Sequence, residues 1–364
     1  MSTFWTEAPA PATKLGRYRQ LSPLAGVHVS PICLGAMSIG DKWADLGMGS
    51  MNKESSFKLL DAYYEAGGNF IDTANNYQDE TSEMFIGEWM EARGIRDQLV
   101  VATKYTSFYK RGSIDPGQKI HYIGNNMKAL HLSVEDSLKK LRTSYIDILY
   151  LHWWDYTTSV EEVMNGLHHL VAAGKVLYLG VSDTPRGSSQ KRTTTRRDFE
   201  RDIIPMAKSE GLALAPWNVL AAGRIRTDEE EQRRRETGEK GRTIFGDWWE
   251  RSEDERKVCK ALEKVAAEVG AKSIQAVAIA YVMQKTPYVF PIIGGRKVEH
   301  LQSNIHALDI ALSPEQVKYL ENALPFNPGF PNEMIGDGSG YSTFHLSAGI
   351  FDKWPAQQAI RPAQ

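Results

Sequence analysis

The sequence reads Gly68-Asn69-Phe70-Ile71-Asp72-Thr73-Ala74-Asn75-Asn76-Tyr77 where a short apolar run stops at a carboxylate and a tyrosine follows five residues later. Two other apolar runs stop in a similar way, one at Lys104 after Leu99 to Thr103 and one at His152 after Ile146 to Leu151. In a barrel of parallel strands, the carboxyl ends of the strands converge on one mouth, so residues distant in sequence become neighbours there. These runs predict such a barrel with one site at its mouth.

Short runs rich in Val, Ile and Leu alternate with longer segments of helical period, which is typical of strand-helix units around a parallel sheet. The predicted strands are Pro31 to Gly35, Asn69 to Ile71, Leu99 to Thr103, Ile146 to Leu151, Val176 to Val181, Leu212 to Ala215 and Val289 to Ile293. The predicted helices are Lys53 to Ala66, Glu80 to Arg93, Ile123 to Arg142, Val160 to Ala173, Phe199 to Glu210, Asp254 to Val269 and Ile274 to Gln284. Seven strands are one fewer than an eight-stranded barrel contains.

The missing strand falls after Val181. Only the interval Asp183 to Arg197 separates that strand from the next predicted helix, although a barrel would place a helix and another strand there. The interval is polar, and its three threonines, 193–195, predict at most a marginal strand. We therefore expect an α/β fold, a (β/α)8 TIM-type barrel in which one βα unit around residues 183–197 is missing or distorted. An unusual closure of the sheet and a deletion or mispredicted exon both agree with these residues.

Composition favours a small-molecule partner. The formal net charge of the 364 residues is -2, so no overall field favours nucleic acid or an anionic membrane surface. The two cysteines, Cys33 and Cys259, are too few for a disulfide framework and are expected to be buried, reduced thiols. No stretch has the length and apolar character of a signal peptide or a transmembrane helix. These features predict a soluble, cytoplasmic protein, either a monomer or a homodimer.

We expect three segments along the chain. Residues 1–16 form a flexible N-terminal segment, residues 17–324 form the barrel, and residues 325–364 form a tail rich in Pro, Gly and aromatic residues that packs near the barrel mouth. Within the barrel, the charge-dense stretch Asp228 to Arg242 is interpreted as a solvated helix or loop, with a recognition role as the less favoured alternative.

The four polar groups at the strand ends suit carbonyl reduction. That reaction places a hydride on carbon and a proton on oxygen, and Tyr77 is the candidate proton donor. A nearby ammonium, Lys104, favours the phenolate electrostatically. Asp72 would hold the lysine through an ion pair, and His152 would hydrogen-bond and orient the substrate oxygen. Each residue alone could be a loop cap, a packing residue or a core residue, but their joint occurrence at strand ends favours the catalytic interpretation.

The stretch 68–77 closely resembles the signature of the aldo-keto reductases. Leu34-Gly35, Ala102-Thr103-Lys104 and Leu151-His152 stand where that family has its first strand, its lysine and its histidine. The details His-Trp-Trp-Asp and Ala-Pro-Trp-Asn-Val-Leu resemble the fungal aryl-alcohol dehydrogenase and norsolorinic acid reductase branch. The resemblance runs from about Arg17 to Leu324. It implies an NADPH-dependent enzyme of secondary metabolism that reduces aromatic or polyketide-derived aldehydes and ketones.

The resemblance also implies positions for the cofactor NADP(H). Arg296 and Lys297, with the backbone of Gly294, are expected to bind the adenosine 2'-phosphate, because they follow the last strand and open a helical segment. Asn304 resembles the asparagine that contacts adenine in the family. The loop with Asn218, Leu220 and Gly223 resembles the pyrophosphate loop, and Ser182 and Asp183 occupy the nicotinamide carboxamide position, where asparagine is more usual than aspartate.

Two other classes of function compete with this one. The first is a cofactor-binding or interaction protein with impaired turnover, because the family commonly has an aromatic residue that stacks on the nicotinamide ring and the 183–197 interval has none. The second is a metal-dependent barrel hydrolase, which would need clustered His and carboxylate ligands. Only His152 lies at a strand end, and the pair His168-His169 lacks partners at ligand spacing, so we expect no metal.

Overall fold

The computed structural model describes residues 6–112, 117–184, 197–238, 249–330 and 332–362. The strands assigned within these ranges are β1 Arg19–Ser22, β2 Ala25–Val29, β3 Cys33–Gly35, β4 Phe70–Asp72, β5 Val100–Tyr105, β6 Ile146–Leu151, β7 Val176–Val181 and β8 Ile292–Gly294. Six of them form one parallel sheet in the order β7-β6-β5-β4-β3-β8. Strands β1 and β2, which the sequence pattern did not predict, form an antiparallel hairpin.

Helices follow most of these strands. They are α1 Lys53–Glu65, α2 Thr81–Arg93, α3 Met127–Lys140, α4 Val160–Ala172, α5 Ile203–Ser209, α6 Asp228–Thr237, α7 Glu253–Val269, α8 Ile274–Gln284, α9 Val298–Ile305, α10 Pro314–Glu321, α11 Asn332–Ile335 and α12 Thr343–Leu346. Their ends show ordinary capping chemistry: α7 begins with a capping box between Ser252 and Glu255 and ends at Gly270 in the left-handed region. The alternation predicts the α/β class, and that prediction is confirmed.

Successive side chains of a strand alternate between the two faces of the sheet, and from β4 to β6 both faces are buried. Phe70, Ala102 and Ile148 belong to an inner cluster that the hairpin joins through buried apolar side chains. Leu149 and Leu151 point the other way and pack with helices α3 and α4. Burial on two faces explains why the strands appear in sequence as continuous apolar runs.

The predicted strand Leu212 to Ala215 is only partly regular. Leu214 forms an isolated parallel bridge with Val289. The Leu214 amide donates to the Tyr288 carbonyl at 2.9 Å, and the Phe290 amide donates to the Leu214 carbonyl at 2.8 Å. This segment therefore lies beyond β8 as an irregular seventh member of the sheet, and β8 itself is shorter than predicted, starting at Ile292.

The outer face of β7 differs from that of its neighbour β6. Leu177, Leu179 and Val181 are 46%, 41% and 60% exposed, although Leu149 and Leu151, the register partners of Leu179 and Val181 in β6, are buried. Within the described ranges no strand pairs with the other edge of β7, so no closed barrel is assigned there. Residues 185–196, on which the prediction of a missing or distorted βα unit falls, lie outside the described residues.

The tail contacts the end of the sheet opposite the strand carboxyl ends. The Gln357 amide donates to the Tyr288 hydroxyl, and Arg361 donates to Gln284. Both acceptors precede β8, at its amino end. The division into residues 1–16, 17–324 and 325–364 stays a prediction.

Across the ranges described, no single helix has the length and apolar character to cross a membrane; the pair α7 and α8, bent by 91°, passes only when both helices are taken together.

Candidate active site

The four predicted catalytic residues lie at the carboxyl ends of three adjacent strands. Asp72 is the last residue of β4, Lys104 is the second-to-last residue of β5, and His152 follows β6 directly. Parallel pairing places Asp72 beside Ala102 and Lys104 beside Tyr150. Tyr77 lies in the loop that leads from β4 to α2. Strand register therefore places these side chains at one end of the sheet.

A buried ion pair fixes the lysine. The Lys104 Nζ donates to both carboxylate oxygens of Asp72, at 2.6 and 2.8 Å, and to the Thr73 carbonyl at 2.7 Å. Burial alone would lower the pKa of Lys104, but Asp72 and Tyr77 more than offset it and raise that pKa. Burial raises the pKa of Asp72, and the lysine opposes that rise. The ammonium is thus held charged and oriented.

Tyr77 completes this contact. Its hydroxyl lies 3.5 Å from the Lys104 Nζ, and its ring centroid lies 5.0 Å from the same nitrogen. The Tyr77 ring also meets the His152 ring edge-on, with centroids 5.9 Å apart. A phenol that touches an ammonium and adjoins an imidazole is the arrangement needed to protonate a carbonyl oxygen.

The loop after Tyr77 is unusual in its backbone. Gln78, Asp79 and Glu80 all have positive φ values, of 53°, 47° and 80°. The buried Gln78 side chain accepts hydrogen bonds from the amides of Lys42 and Trp43. It also donates to the carbonyls of the loop before α1, at Met37 and Gly49. These four bonds hold the strained segment that positions the tyrosine.

An aromatic wall flanks the tyrosine, and the sequence pattern did not point to it. The Trp43 ring meets the Tyr77 ring edge-on at 6.1 Å, and its Nε1 donates to Asp79. Trp43 follows no strand and belongs to no periodic segment, so only the tertiary structure brings it here. The only sequence signal was a tryptophan in a glycine-rich loop.

His152 is neutral in this environment. Burial, together with the nearby Lys104 charge, lowers the pKa of His152 to about 3. The imidazole is partly buried, and its Nδ1 lies 3.1 Å from the hydroxyl oxygen of Ser107 in the loop after β5. At neutral pH it can therefore donate one hydrogen bond without carrying a charge.

Four predicted cofactor residues lie between the end of β8 and the end of helix α9: Gly294 ends β8, Arg296 and Lys297 directly precede the helix, and Asn304 lies in its last turn. Arg296 and Lys297 are exposed, and Lys297, at the N-cap, makes no side-chain capping hydrogen bond. Arg296 extends alongside Gly49, where a Cβ would lie 3.4 Å from its Cδ and Nε. Two exposed cations at an uncapped helix N-terminus fit a phosphate monoester, because the helix dipole and the amide groups favour an anion there.

The loop containing Asn218, Leu220 and Gly223 follows the irregular strand. Asn218 and Gly223 have positive φ values of 58° and 85°. The Gly223 carbonyl accepts a hydrogen bond from the buried Arg226 at 3.2 Å. The loop therefore has a shape set by left-handed backbone and by one buried cation.

That cation belongs to an ion cluster formed by Arg226, Glu231 and Arg251, all three buried. The Glu231 carboxylate accepts from Arg226 and Arg251, each at 2.9 Å. Although burial opposes it, these hydrogen bonds, with one from Arg256, lower the pKa of Glu231 to about 2. The interpretation of Asp228 to Arg242 as simply solvated is wrong at Glu231, because the charges around it are satisfied within the protein. The residues of that stretch from 239 onward lie outside the described ranges.

Ser182 and Asp183 follow β7 at the same end of the sheet. The Ser182 amide donates to the Leu151 carbonyl at 2.8 Å, and the Trp154 amide donates to the Asp183 carbonyl at 3.2 Å. Burial raises the pKa of Asp183, and the Lys104 charge opposes the rise. The influence of Lys104 on this carboxyl agrees with a position close to the four residues above.

In the described part of the chain, no three His, Cys, Asp or Glu side chains come together in a group that could hold a metal ion. Cys33 and Cys259 are both buried free thiols.

The fold and the site define an oxidoreductase class built on a parallel α/β sheet, and comparison with known proteins names the family. The aldo/keto reductase family pattern matches residues 31–196 and 188–325. The chain belongs to the aldo/keto reductase family, which is built on a (β/α)8 barrel.

Individual relatives agree with this assignment. An aryl-alcohol dehydrogenase, NADP(+), of Phanerodontia chrysosporium is 65% identical, with 98% of this chain and 99% of the relative covered. A putative aryl-alcohol dehydrogenase of Saccharomyces cerevisiae is 53% identical over 93% of this chain and 94% of the relative. Norsolorinic acid reductase A of Aspergillus parasiticus is 46% identical over 98% and 96%. The predicted resemblance to this fungal branch is confirmed.

The comparisons also bear on the short interval after β7. The family pattern matches the chain as two segments, which overlap at residues 188–196. The alignment with the Phanerodontia chrysosporium protein spans 380 residues, although this chain has 364, so that relative carries residues with no counterpart here. Both observations agree with the strand count of seven.

Proposed function

We propose that this protein reduces an aromatic or polyketide-derived aldehyde or ketone to the alcohol, with NADPH as cofactor and Tyr77 as the general acid. The observation that carries the proposal is the contact chain Asp72 to Lys104 to Tyr77, with the His152 ring edge-on to the phenol ring. The NADP(+)-dependent aryl-alcohol dehydrogenase relative supports the choice of cofactor.

The chain's own groups have defined tasks in this reaction. NADPH, when bound, supplies the hydride for the carbonyl carbon. The neutral His152 hydrogen-bonds the carbonyl oxygen, and Tyr77 transfers its proton to that oxygen as negative charge develops there. Lys104 stabilises the phenolate left behind, and Asp72 keeps the ammonium in place. Solvent returns a proton to Tyr77 after the alcohol leaves, which closes the proton balance.

Three groups of residues would hold the cofactor. Arg296 and Lys297 at the start of α9 would bind the 2'-phosphate, with Gly294 in the approach and Asn304 on the same helix toward adenine. The loop with Asn218, Leu220 and Gly223 would contact the pyrophosphate. Ser182 and Asp183 would face the nicotinamide carboxamide. The exposed side chains of Arg296 and Lys297 support NADPH over NADH, because the planar guanidinium of an arginine matches the geometry of a phosphate.

Apolar and aromatic side chains near Tyr77 support an aromatic substrate. Trp43 lies edge-on to Tyr77, and an aromatic aldehyde beside them could stack or meet a ring edge. We propose no nucleic acid or membrane partner; a cytoplasmic location and a monomeric or homodimeric state remain predictions.

A second candidate function is cofactor binding without efficient turnover. The observation that favours it is the exposed outer face of β7, next to Ser182 and Asp183. An edge strand with weak cover is less rigid, and loose positioning by about 1 Å costs a large part of the rate.

Two measurements separate these functions. NADPH titration, followed by quenching of the fluorescence of the nine tryptophans, measures binding. Oxidation of NADPH at 340 nm with a series of substituted benzaldehydes, with NADH as the matched cofactor control, measures turnover. Saturable binding with turnover supports the reductase, whereas saturable binding with no turnover of any carbonyl supports the second candidate.

A further inference from the structure

Ser107 lies between two side chains of the site. Its hydroxyl oxygen is 3.1 Å from the Nδ1 of His152 and 3.1 Å from the Nε1 of Trp153. Ser107 comes three residues after Lys104, and Trp153 follows His152 directly. The loops after β5 and β6 thus meet through one serine.

The chemistry of these groups sets the direction of one hydrogen bond and favours one direction for the other. An indole Nε1 carries a proton and has no acceptor capacity, so Trp153 donates to the Ser107 oxygen. The serine hydroxyl has a single proton, and in the described part of the chain the acceptor that the structure gives it is the His152 Nδ1. A protonated Nδ1 donating to the second lone pair of Ser107 would leave the serine proton without an acceptor among the described residues, whereas donation from Ser107 to an unprotonated Nδ1 satisfies both groups.

An imidazole that accepts at Nδ1 and is neutral carries its proton on Nε2. The low pKa of His152, about 3, agrees with a neutral ring. Among the described residues, the hydrogen bond of His152 is made at Nδ1 and none is made at Nε2, so that N–H is free to bind a substrate oxygen. The opposite tautomer would turn a lone pair toward that oxygen and repel it.

We propose that Trp153 and Ser107 form a relay that holds His152 in its Nε2–H tautomer, which makes them positioning residues for the carbonyl oxygen. The proposal rests on the proposed reductase function for its kinetic consequence. Its structural content, the tautomer, does not depend on turnover. In this relay the indole of Trp153 donates to the Ser107 hydroxyl, and that hydroxyl donates in turn to the imidazole of His152.

The first test reads the tautomer directly. The full-length protein is produced with 15N-labelled histidine, and long-range 1H–15N correlation spectra are recorded at pH 7. The signal of His152 is assigned among the nine histidines by its loss in His152→Gln. We expect Nε2–H in the wild type, a mixture with Nδ1–H in Ser107→Ala, and a return to Nε2–H in Ser107→Thr, which keeps a hydroxyl.

The tautomer result can overturn the proposal without any activity. An Nδ1–H tautomer in the wild type, or an unchanged Nε2–H tautomer in Ser107→Ala, would show that the serine does not set the proton. Because binding and turnover of NADPH are measured separately, a protein without turnover would contradict the proposed function and leave the tautomer result to decide the relay.

The second test is a kinetic cycle. Ser107→Ala should lower kcat about tenfold, the loss of one hydrogen bond, while the Kd of NADPH stays unchanged. In the His152→Gln background, Ser107→Ala should cause no further loss, because the serine acts through the histidine. Trp153→Phe, which frees the hydroxyl to turn, should cause a smaller loss. Equal losses in both backgrounds would assign Ser107 a merely structural role.

Discussion

The two halves of the molecule place their functional groups by different means. In the amino-terminal half, residues 33–184, the groups lie at the ends of adjacent hydrogen-bonded strands, as Asp72 and Lys104 do. In the carboxyl-terminal half, residues 197–305, they lie on an irregular strand, a loop with left-handed residues such as Asn218, and a short helix.

The difference lies in what holds each half. Backbone hydrogen bonds between strands fix the positions of Asp72 and Lys104 and do not depend on any one side chain, whereas the loop that carries Tyr77 is held by the Gln78 side chain. The loop around Gly223 depends on the ion cluster of Arg226, Glu231 and Arg251, in which each member is needed by the other two. Side-chain changes in the first half should therefore damage chemistry, and changes in the second half should damage stability and cofactor binding.

The largest effect expected is on chemistry alone. Tyr77→Phe should lower kcat by about 10²- to 10⁴-fold and leave the Kd of NADPH unchanged, because the hydroxyl acts only in proton transfer. Steady-state kinetics with a benzaldehyde and fluorescence titration check both numbers. Tyr64→Phe, whose hydroxyl bonds the exposed Gln98, is the matched control. Equal turnover in Tyr77→Phe would remove this residue from the role of acid.

In the carboxyl-terminal half, a change of comparable free energy should appear as a loss of stability, not as a loss of turnover. Glu231→Gln removes the carboxylate from two buried guanidinium groups, and loss of one member of a buried ion pair costs about 3 to 5 kcal/mol of unfolding free energy. Urea denaturation measures the loss, and the Kd of NADPH should rise with it. Glu229→Gln, exposed on the same helix, should change little. A stable Glu231→Gln with normal binding would contradict our view of this loop.

Cofactor choice should respond to one exposed cation. Arg296→Ala should weaken NADPH binding about 10- to 100-fold, the value of a charge-assisted hydrogen bond, and leave NADH binding unchanged. Fluorescence titration with both cofactors makes NADH the internal control. Arg296→Lys should fall between, because an ammonium keeps the charge but lacks the planar fork. An equal loss for both cofactors would place Arg296 away from the 2'-phosphate.

Near neutral pH, the smallest effect expected is a pH dependence of stability. Burial lowers the pKa of His152 to about 3, below its ordinary value of 6.5, so between these pH values the unfolded chain binds a proton that the folded chain does not. The free energy of unfolding should therefore fall as the pH falls through this window, and His152→Gln should have a shallower slope. Urea denaturation at several pH values compares the two slopes. Parallel slopes would show that the folded imidazole titrates normally.

The sequence pattern predicted the four site residues because three of them end apolar runs and Tyr77 follows one of those runs by five residues. Asp72, Lys104 and His152 could be located from the alternation of runs and helices alone, and the structure brings them together with Tyr77. Their roles stay predictions until the variants above are measured. The family and its branch followed from the same stretch together with a few short motifs.

Other residues of the site gave no usable signal. Trp43 lies in a loop without periodicity, and Ser107 is an ordinary serine whose importance comes from two neighbours on another loop. Glu231 lies in the charge-dense stretch Asp228 to Arg242, which is interpreted from the sequence as solvated. Arg226 and Arg251, the two buried arginines that neutralise it, lie outside that stretch. The hairpin β1 and β2 was missed because its strands are short and half exposed.

The sequence by itself determined the α/β class, the strand order along the chain and the chemical types at the strand ends, because periodicity and run boundaries are local properties. Tertiary structure alone decided which distant side chains meet: the 3.5 Å contact of Lys104 with Tyr77, the serine beside His152, and the burial of Glu231. The physical reason is that hydrogen bonding, ion pairing and burial depend on the distances between groups in space, and those distances arise only when the strands pair and the loops pack over them.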